Sequence, residues 1–303
     1  MARIVQQAVR RCRARAAAGV RTPVHSAAME PPETFATING YRLRYRLRGE
    51  GPLAIFGHGL MGTIEQIDEN LSAMDRLYER VRLLMYDARG HGASDGPDEA
   101  SQYSWESLGR DMAGFIEHAG EERALIGGAS MGAATALWVA LEQPEKVRGL
   151  VLVMPPPLGD ESIRQQAEKQ ALQVLDMLSA AIQNFGLEKT VELARNFPGF
   201  AATPEEADER ARWMLRQNPR ALAFAIRGLL QSPFHDPEAY RRITVPTLVM
   251  AHEGDGLHPA RAAKLLGDTI PDVRVRIAPS LGYWRDNPDE FVAEVSAFFD
   301  RVG

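Results

Sequence analysis

Ala124-Leu-Ile-Gly-Gly-Ala-Ser-Met-Gly-Ala-Ala-Thr-Ala-Leu-Trp-Val-Ala-Leu141 decides how the rest of the chain is read. A short apolar run meets Gly127-Gly128-Ala129-Ser130-Met131-Gly132, and small and apolar residues then continue at helical spacing. The pattern predicts strand, abrupt turn, helix, with Ser130 at the turn. Gly128 and Gly132 flank the serine at G-x-S-x-G spacing, the spacing of a nucleophile elbow, where a strained backbone and a close strand–helix approach leave no room for side chains. The segment is also uncharged and about long enough to cross a bilayer, with glycines at a helix-dimer spacing. Paired glycines before Ser130 weaken that alternative, as do the strand–helix units on either side.

Working outward, Thr37-Ile-Asn-Gly-Tyr-Arg-Leu-Arg-Tyr-Arg-Leu-Arg48 alternates apolar and basic residues around Asn39-Gly40, a hairpin signature with one wet face. Leu53-Ala-Ile-Phe56 reads as a buried strand running into Gly57-His58-Gly59-Leu60-Met61-Gly62. A helix is expected over about 64–80, a strand over 81–86, then the loop Asp87-Ala-Arg-Gly-His-Gly-Ala-Ser-Asp95 and a helix from Trp105 to His118. Past the elbow, residues 147–154 form a Val/Leu-rich strand stopped by Pro155-Pro156-Pro157.

From Leu158 to Tyr240 strand signals vanish. Helical stretches follow over 162–185, 188–196, 204–217 and 220–230, broken at Gly186, Pro198-Gly199 and Pro219. They carry Met177, Phe185, Phe197, Phe200, Trp213, Met214 and Phe224, and their position between sheet units predicts a cap over a cleft. Sheet units resume with the strand 246–251, a helix over 259–266, the strand 273–278 and a terminal helix over 288–301. The fold class expected is α/β: a mainly parallel, doubly wound sheet covered on both faces, with an inserted helical cap. The expected domains are a basic leader at 1–34, disordered or removed, a core of 35–157 and 241–303, and a cap of 158–240.

With 45% hydrophobic and 25% charged residues the composition is that of a soluble globular protein. The net charge of −5 hides an asymmetry, because six arginines and no acid precede Glu30; −5 less that +6 leaves −11 on the remainder. Such a balance argues against a nucleic-acid surface on the folded body. The single cysteine, Cys12, lies in the leader, so no intrachain disulfide forms. The leader reads as an organelle transit peptide or as an extension upstream of a start at Met29, and it lacks the apolar region of a secretory signal. The expected location is the cytoplasm, with an organelle matrix as the alternative. No metal-ligand spacing or phosphate loop is present in the sequence, so neither cofactor nor metal is expected.

Four motifs in order give the chain a resemblance to the α/β-hydrolase superfamily over roughly residues 35–302. They are His58-Gly59, Asp87-x-Arg89-Gly90-His91-Gly92-x-Ser94, Gly128-x-Ser130-x-Gly132, and a Pro246-Thr-Leu-Val strand leading to Asp255 and Pro259. The resemblance implies Ser130 as nucleophile, the amides of Leu60 and Met131 as an oxyanion hole, and Asp255 as triad acid. His58, His91, Asp87 and Arg89 read as loop braces.

The base is the departure. The family places a histidine after the last strand, just past a glycine, but Ala278-Pro-Ser-Leu-Gly-Tyr-Trp-Arg-Asp-Asn-Pro288 contains none, and Tyr283 follows Gly282 instead. A tyrosine is ionised in only about one part in a thousand at neutral pH, so Tyr283 would need a cation such as Arg285 to lower its pKa. His258 is an alternative base, although a histidine at a helix start ordinarily faces solvent, and His235 is a further one. The function expected is a serine-hydrolase-like enzyme with an atypical triad, acting on a small ester, lactone or other activated acyl compound. A ligand-binding pseudo-hydrolase and a non-hydrolytic lyase or cyclase, with Tyr283 as proton donor, stay open beside it.

Overall fold

The computed structural model describes residues 33–71, 73–159, 165–196 and 203–303. Residues 1–32 of the expected leader, with Cys12, and Phe197, Pro198-Gly199 and Phe200 of the inserted segment, lie outside the described residues, whereas Thr34, expected in the leader, opens the first strand.

The hairpin pairs β1 (Thr34–Ile38) antiparallel with β2 (Tyr41–Arg48). Asn39 and Gly40 both have positive φ, 49° and 86°, the geometry whose twist matches two right-twisted strands. The strands β3 (Leu53–Gly57), β4 (Arg82–Tyr86), β5 (Ala124–Ala129), β6 (Val147–Val153), β7 (Thr247–His252) and β8 (Val273–Ala278) complete one sheet. Its order is β1-β2-β4-β3-β5-β6-β7-β8, with β2 antiparallel to β4 and all neighbours from β4 to β8 parallel.

The near-continuous apolar strands follow from burial on both faces, because alternate residues feed two different cores. Ile55, Leu84, Ile126, Leu150, Leu152 and Val249 face one core with α2 (Trp105–His118), α3 (Met131–Glu142) and α8 (Ala260–Thr269). Phe56, Leu83, Leu125, Val151, Leu248 and Met250 face the other, with α1 (Ile64–Asn70) and α10 (Pro288–Val302). Residues 124–141, which could have been read as a membrane span, are thus β5 and α3. Among the described residues no helix is long and apolar enough to cross a membrane.

Between β6 and β7 come α4 (Gln166–Phe185), α5 (Leu187–Ala194), α6 (Pro204–Leu215) and α7 (Pro219–Gln231), and a four-residue helix α9 (Tyr283–Asp286) precedes α10. The inserted helices build a small core of their own around Ile182, Val191, Met214, Leu222 and Ile226. Met214 belongs to that core and Trp213 is also buried, whereas Met177 and Phe185 point to solvent. The single helix expected over 64–80 is instead α1 followed, after Leu71, by a 3-10 turn at Met74–Leu77.

Candidate active site

Ser130 joins β5 to α3 with φ 51° and ψ −107°, a conformation that L side chains rarely adopt. Its amide donates to Val153 O at 2.9 Å, which pins the turn to the neighbouring strand. The flanking glycines are required by crowding: a Cβ on Gly132 would sit 2.2 Å from Gly57 O, and one on Gly128 2.5 Å from the same atom. Strand β3, strand β5 and α3 therefore meet backbone to backbone, and the serine side chain is the group left projecting.

Asp255 and His258 come from one loop, between β7 and α8. The amides of Leu257 and His258 donate to Asp255 Oδ1 at 2.8 and 3.0 Å, folding the loop back on its own carboxylate. The ring of His258 is then held between two partners, with Nδ1 2.8 Å from Asp255 Oδ2 and Nε2 2.8 Å from Ser130 Oγ. Burial on its own would raise the Asp255 carboxyl. The hydrogen bond from the His258 ring, the attraction of that ring and the two amide donors outweigh it and hold the carboxyl well below its ordinary range. An ionised carboxylate only accepts, so Nδ1 carries a ring proton, and in the neutral ring that leaves Nε2 to accept from the Ser130 hydroxyl.

Tyr283 is elsewhere. Its hydroxyl donates to Glu290 Oε2 at 2.7 Å, and that hydrogen bond raises its pKa, the opposite of what a base needs. Arg285, the cation expected to lower it, pairs with Asp286 at 3.2 Å. The expectation that Tyr283 takes the place of the family's histidine is therefore corrected: the position after Gly282 has been turned over to a contact within the α9–α10 corner. His235 likewise stays away from the serine, 3.0 Å from Glu142.

Ser130, Met131, Gly59, Leu60, His58 and His258 line one cavity of about 260 Å³. His58 fixes the loop after β3: Nδ1 donates to Gly59 O at 2.7 Å and Nε2 accepts from Ala88 N at 2.9 Å. Complete burial lowers its pKa to about 4, consistent with a neutral ring donating at one nitrogen and accepting at the other. His91 packs beside it, ring centroids 5.1 Å apart, and burial pushes its pKa down to about 3. Asp87 accepts from Ile64 N, Ala93 N and Arg44 Nε, and Arg89 pairs with Asp111 through two bonds of 2.6 Å.

The inserted helices reach this site through contacts that residue types alone did not reveal. Gln217, buried, accepts from Gly92 N at 2.9 Å and donates to Met61 O at 3.1 Å, joining the loops after β4 and β3. Arg261, three residues past His258, forks onto Glu168 of α4 at 2.6 and 2.8 Å. Ser232 accepts from Trp105 N and its carbonyl from Trp105 Nε1, both at 3.1 Å.

A model of the alpha/beta hydrolase fold family matches residues 52–282. The chain belongs to the α/β hydrolase fold family. The 2-(acetamidomethylene)succinate hydrolase of Mesorhizobium japonicum is 31% identical over 267 residues, covering 84% of this chain and 87% of that protein. The 2-hydroxy-6-oxo-6-(2'-aminophenyl)hexa-2,4-dienoic acid hydrolase of Metapseudomonas resinovorans is 25% identical, covering 89% and 91%. The crystal structure of a hydrolase from Pseudomonas aeruginosa PA01 superposes with a TM-score of 0.71 at 26% identity, over 90% of this chain and 99% of that one. With such relatives this α/β hydrolase is an enzyme of the hydrolase class.

Proposed function

We propose that the protein is a serine hydrolase of small esters, lactones or other activated acyl compounds, working through Ser130, His258 and Asp255. The observation that carries this reading is the His258 ring held 2.8 Å from Ser130 Oγ on one side and 2.8 Å from Asp255 on the other. A base within hydrogen-bond reach of the hydroxyl meets the first requirement of general-base catalysis.

In this reading Ser130 Oγ attacks the carbonyl carbon as its proton passes to His258 Nε2. Asp255 stabilises the imidazolium and keeps its orientation. The carbonyl oxygen gains negative charge beside the amides of Leu60 and Met131, the latter at the first position of α3, where the helix dipole also favours an anion. Collapse expels the alcohol with the proton from His258. A water then repeats the sequence in reverse, releasing the acid and Ser130. The inserted helices act as the cap: Leu172 and Leu175 of α4 and Leu229 and Leu230 of α7 line the same cavity as Ser130.

The contact between His258 and Ser130 supports the enzyme reading over the binding-module alternative, which rests on the lack of a base. The succinate and dienoic acid in the relatives' names give the reaction class more than the substrate. A fluorophosphonate probe tests the proposal. Wild type should be labelled at Ser130, Ser130→Ala not at all, His258→Ala far more slowly, and Tyr283→Phe as wild type. Undiminished labelling of His258→Ala, or labelling lost in Tyr283→Phe, would refute the assignment of the base.

A further inference from the structure

The walls of the cavity differ sharply in chemistry from its catalytic corner. Away from Ser130 and His258 it is bounded by Ile67 and Leu71 and by Leu172, Leu175, Leu229 and Phe234 from the inserted segment. Phe234 is stacked on Trp105, which also lines the cavity, with ring centroids 4.8 Å apart. Among the described residues, no lysine, arginine, aspartate or glutamate lines the cavity.

The polar side chains that line it, besides Ser130 and His258, are His58, Ser232 and the uncharged amide of Gln66. Both ring nitrogens of His58 are consumed by Gly59 O and Ala88 N, so that ring cannot serve as a cation without losing a bond. The hydroxyl and carbonyl of Ser232 both accept from Trp105. Arg261, close by in sequence to His258, is neutralised by Glu168 at 2.6 Å. A carboxylate entering this space would meet no cationic side chain among the described lining residues, whereas an alkyl or aryl group would bury apolar surface at each contact.

We infer that the site takes an uncharged ester or lactone whose acyl side is apolar, and discriminates against acyl groups that end in a carboxylate. Size follows from volume. A cavity of 150 Å³ holds benzene, so one of about 260 Å³ accommodates about ten non-hydrogen atoms by simple proportion. This substrate class rests on the serine-hydrolase reading above, and the two are separated by the choice of substrates.

The test compares p-nitrophenyl acetate, p-nitrophenyl pentanoate and p-nitrophenyl hemisuccinate, the last two matched in chain length and differing in the terminal carboxylate. We expect kcat/KM for the pentanoate to exceed that for the hemisuccinate by about 100-fold or more, the scale of an unpaired buried charge. Leu175→Arg, which supplies a cation to the apolar wall, should narrow that ratio by about tenfold. Cleavage of the acetate with the hemisuccinate turned over as fast as the pentanoate overturns the substrate class and leaves the catalytic reading standing. Failure to cleave any of the three, with Ser130 unlabelled by the fluorophosphonate probe, overturns both.

Discussion

Ser130 is held at φ 51° and ψ −107° by strands on either side, and the cost of that conformation is local. Ser130→Gly and Ser130→Ala both delete the hydroxyl and its bond to His258, but only glycine accepts the backbone geometry without strain. The glycine variant should therefore be more stable than the alanine variant by about 1 kcal/mol after its larger unfolded-state entropy is counted. Urea denaturation of the two side by side measures this, and an alanine variant of equal or greater stability would mean that the turn is not strained. His258 and Tyr283 separate at the same scale. His258→Ala should lower kcat by about 10⁴- to 10⁶-fold, the loss seen when a triad base is removed. Tyr283→Phe deletes only an outward bond to Glu290, so turnover should change by no more than about twofold. Steady-state rates on one activated ester decide between them; comparable losses in both variants would return Tyr283 to the site.

The loop between β7 and α8 shows why part of the site could be read from the chain and part could not. Ser130, Asp255 and the His58-Gly59 loop follow strand ends in the order that the resemblance to the hydrolase superfamily implies, so strand signals and that motif order together locate them. The base obeys no such rule. Asp255-Gly256-Leu257-His258 returns on itself because Asp255 accepts the amides of Leu257 and His258, and that turn aims a helix-start histidine inward rather than at solvent. Acid and base three residues apart, together with the lack of any histidine over 278–288, formed the available signal. Strands and helices were legible because periodicity reports burial, while the break after Leu71 was not, since apolar spacing runs on through the 3-10 turn at Met74–Leu77. The pairing of elements was hidden altogether. Glu168 of α4 holds Arg261 at the start of α8, so the inserted helices grip the element that follows His258. Glu168→Gln should leave Arg261 without its counter-charge and cost about 2–3 kcal/mol, less than a fully buried pair because Arg261 is partly exposed. If the pair also positions His258, kcat should fall more than KM rises; a stability loss with kcat unchanged would confine the pair to holding the insertion down.

Across the molecule, the loops after β3 and β4 are closed by two histidines that the fold requires to be neutral. Burial lowers the pKa of His58 to about 4 and that of His91 to about 3, whereas in the unfolded chain both titrate near 6.5. Between those values the unfolded state binds protons that the folded state refuses, so the free energy of unfolding rises with pH over this interval. The stability these rings contribute is fully present above about pH 6.5 and is lost as pH falls toward their folded values, on the order of 3 kcal/mol for His58 and about 5 kcal/mol for His91. Asp255 works in the same direction at lower pH, because its carboxyl is held below the ordinary range and gives up stability only on strong acidification. The urea midpoint should therefore fall steadily from pH 7.5 to 4.5. His91→Gln should start lower, since it disturbs a packed position, and should lose less over the same interval because one of the two refusing groups is gone. A midpoint that stays level or climbs toward pH 4.5 would mean that at least one ring is charged in the fold. The tautomer that lets His58 donate to Gly59 and accept from Ala88, and with it the set of the loop carrying Leu60, would then need to be assigned again.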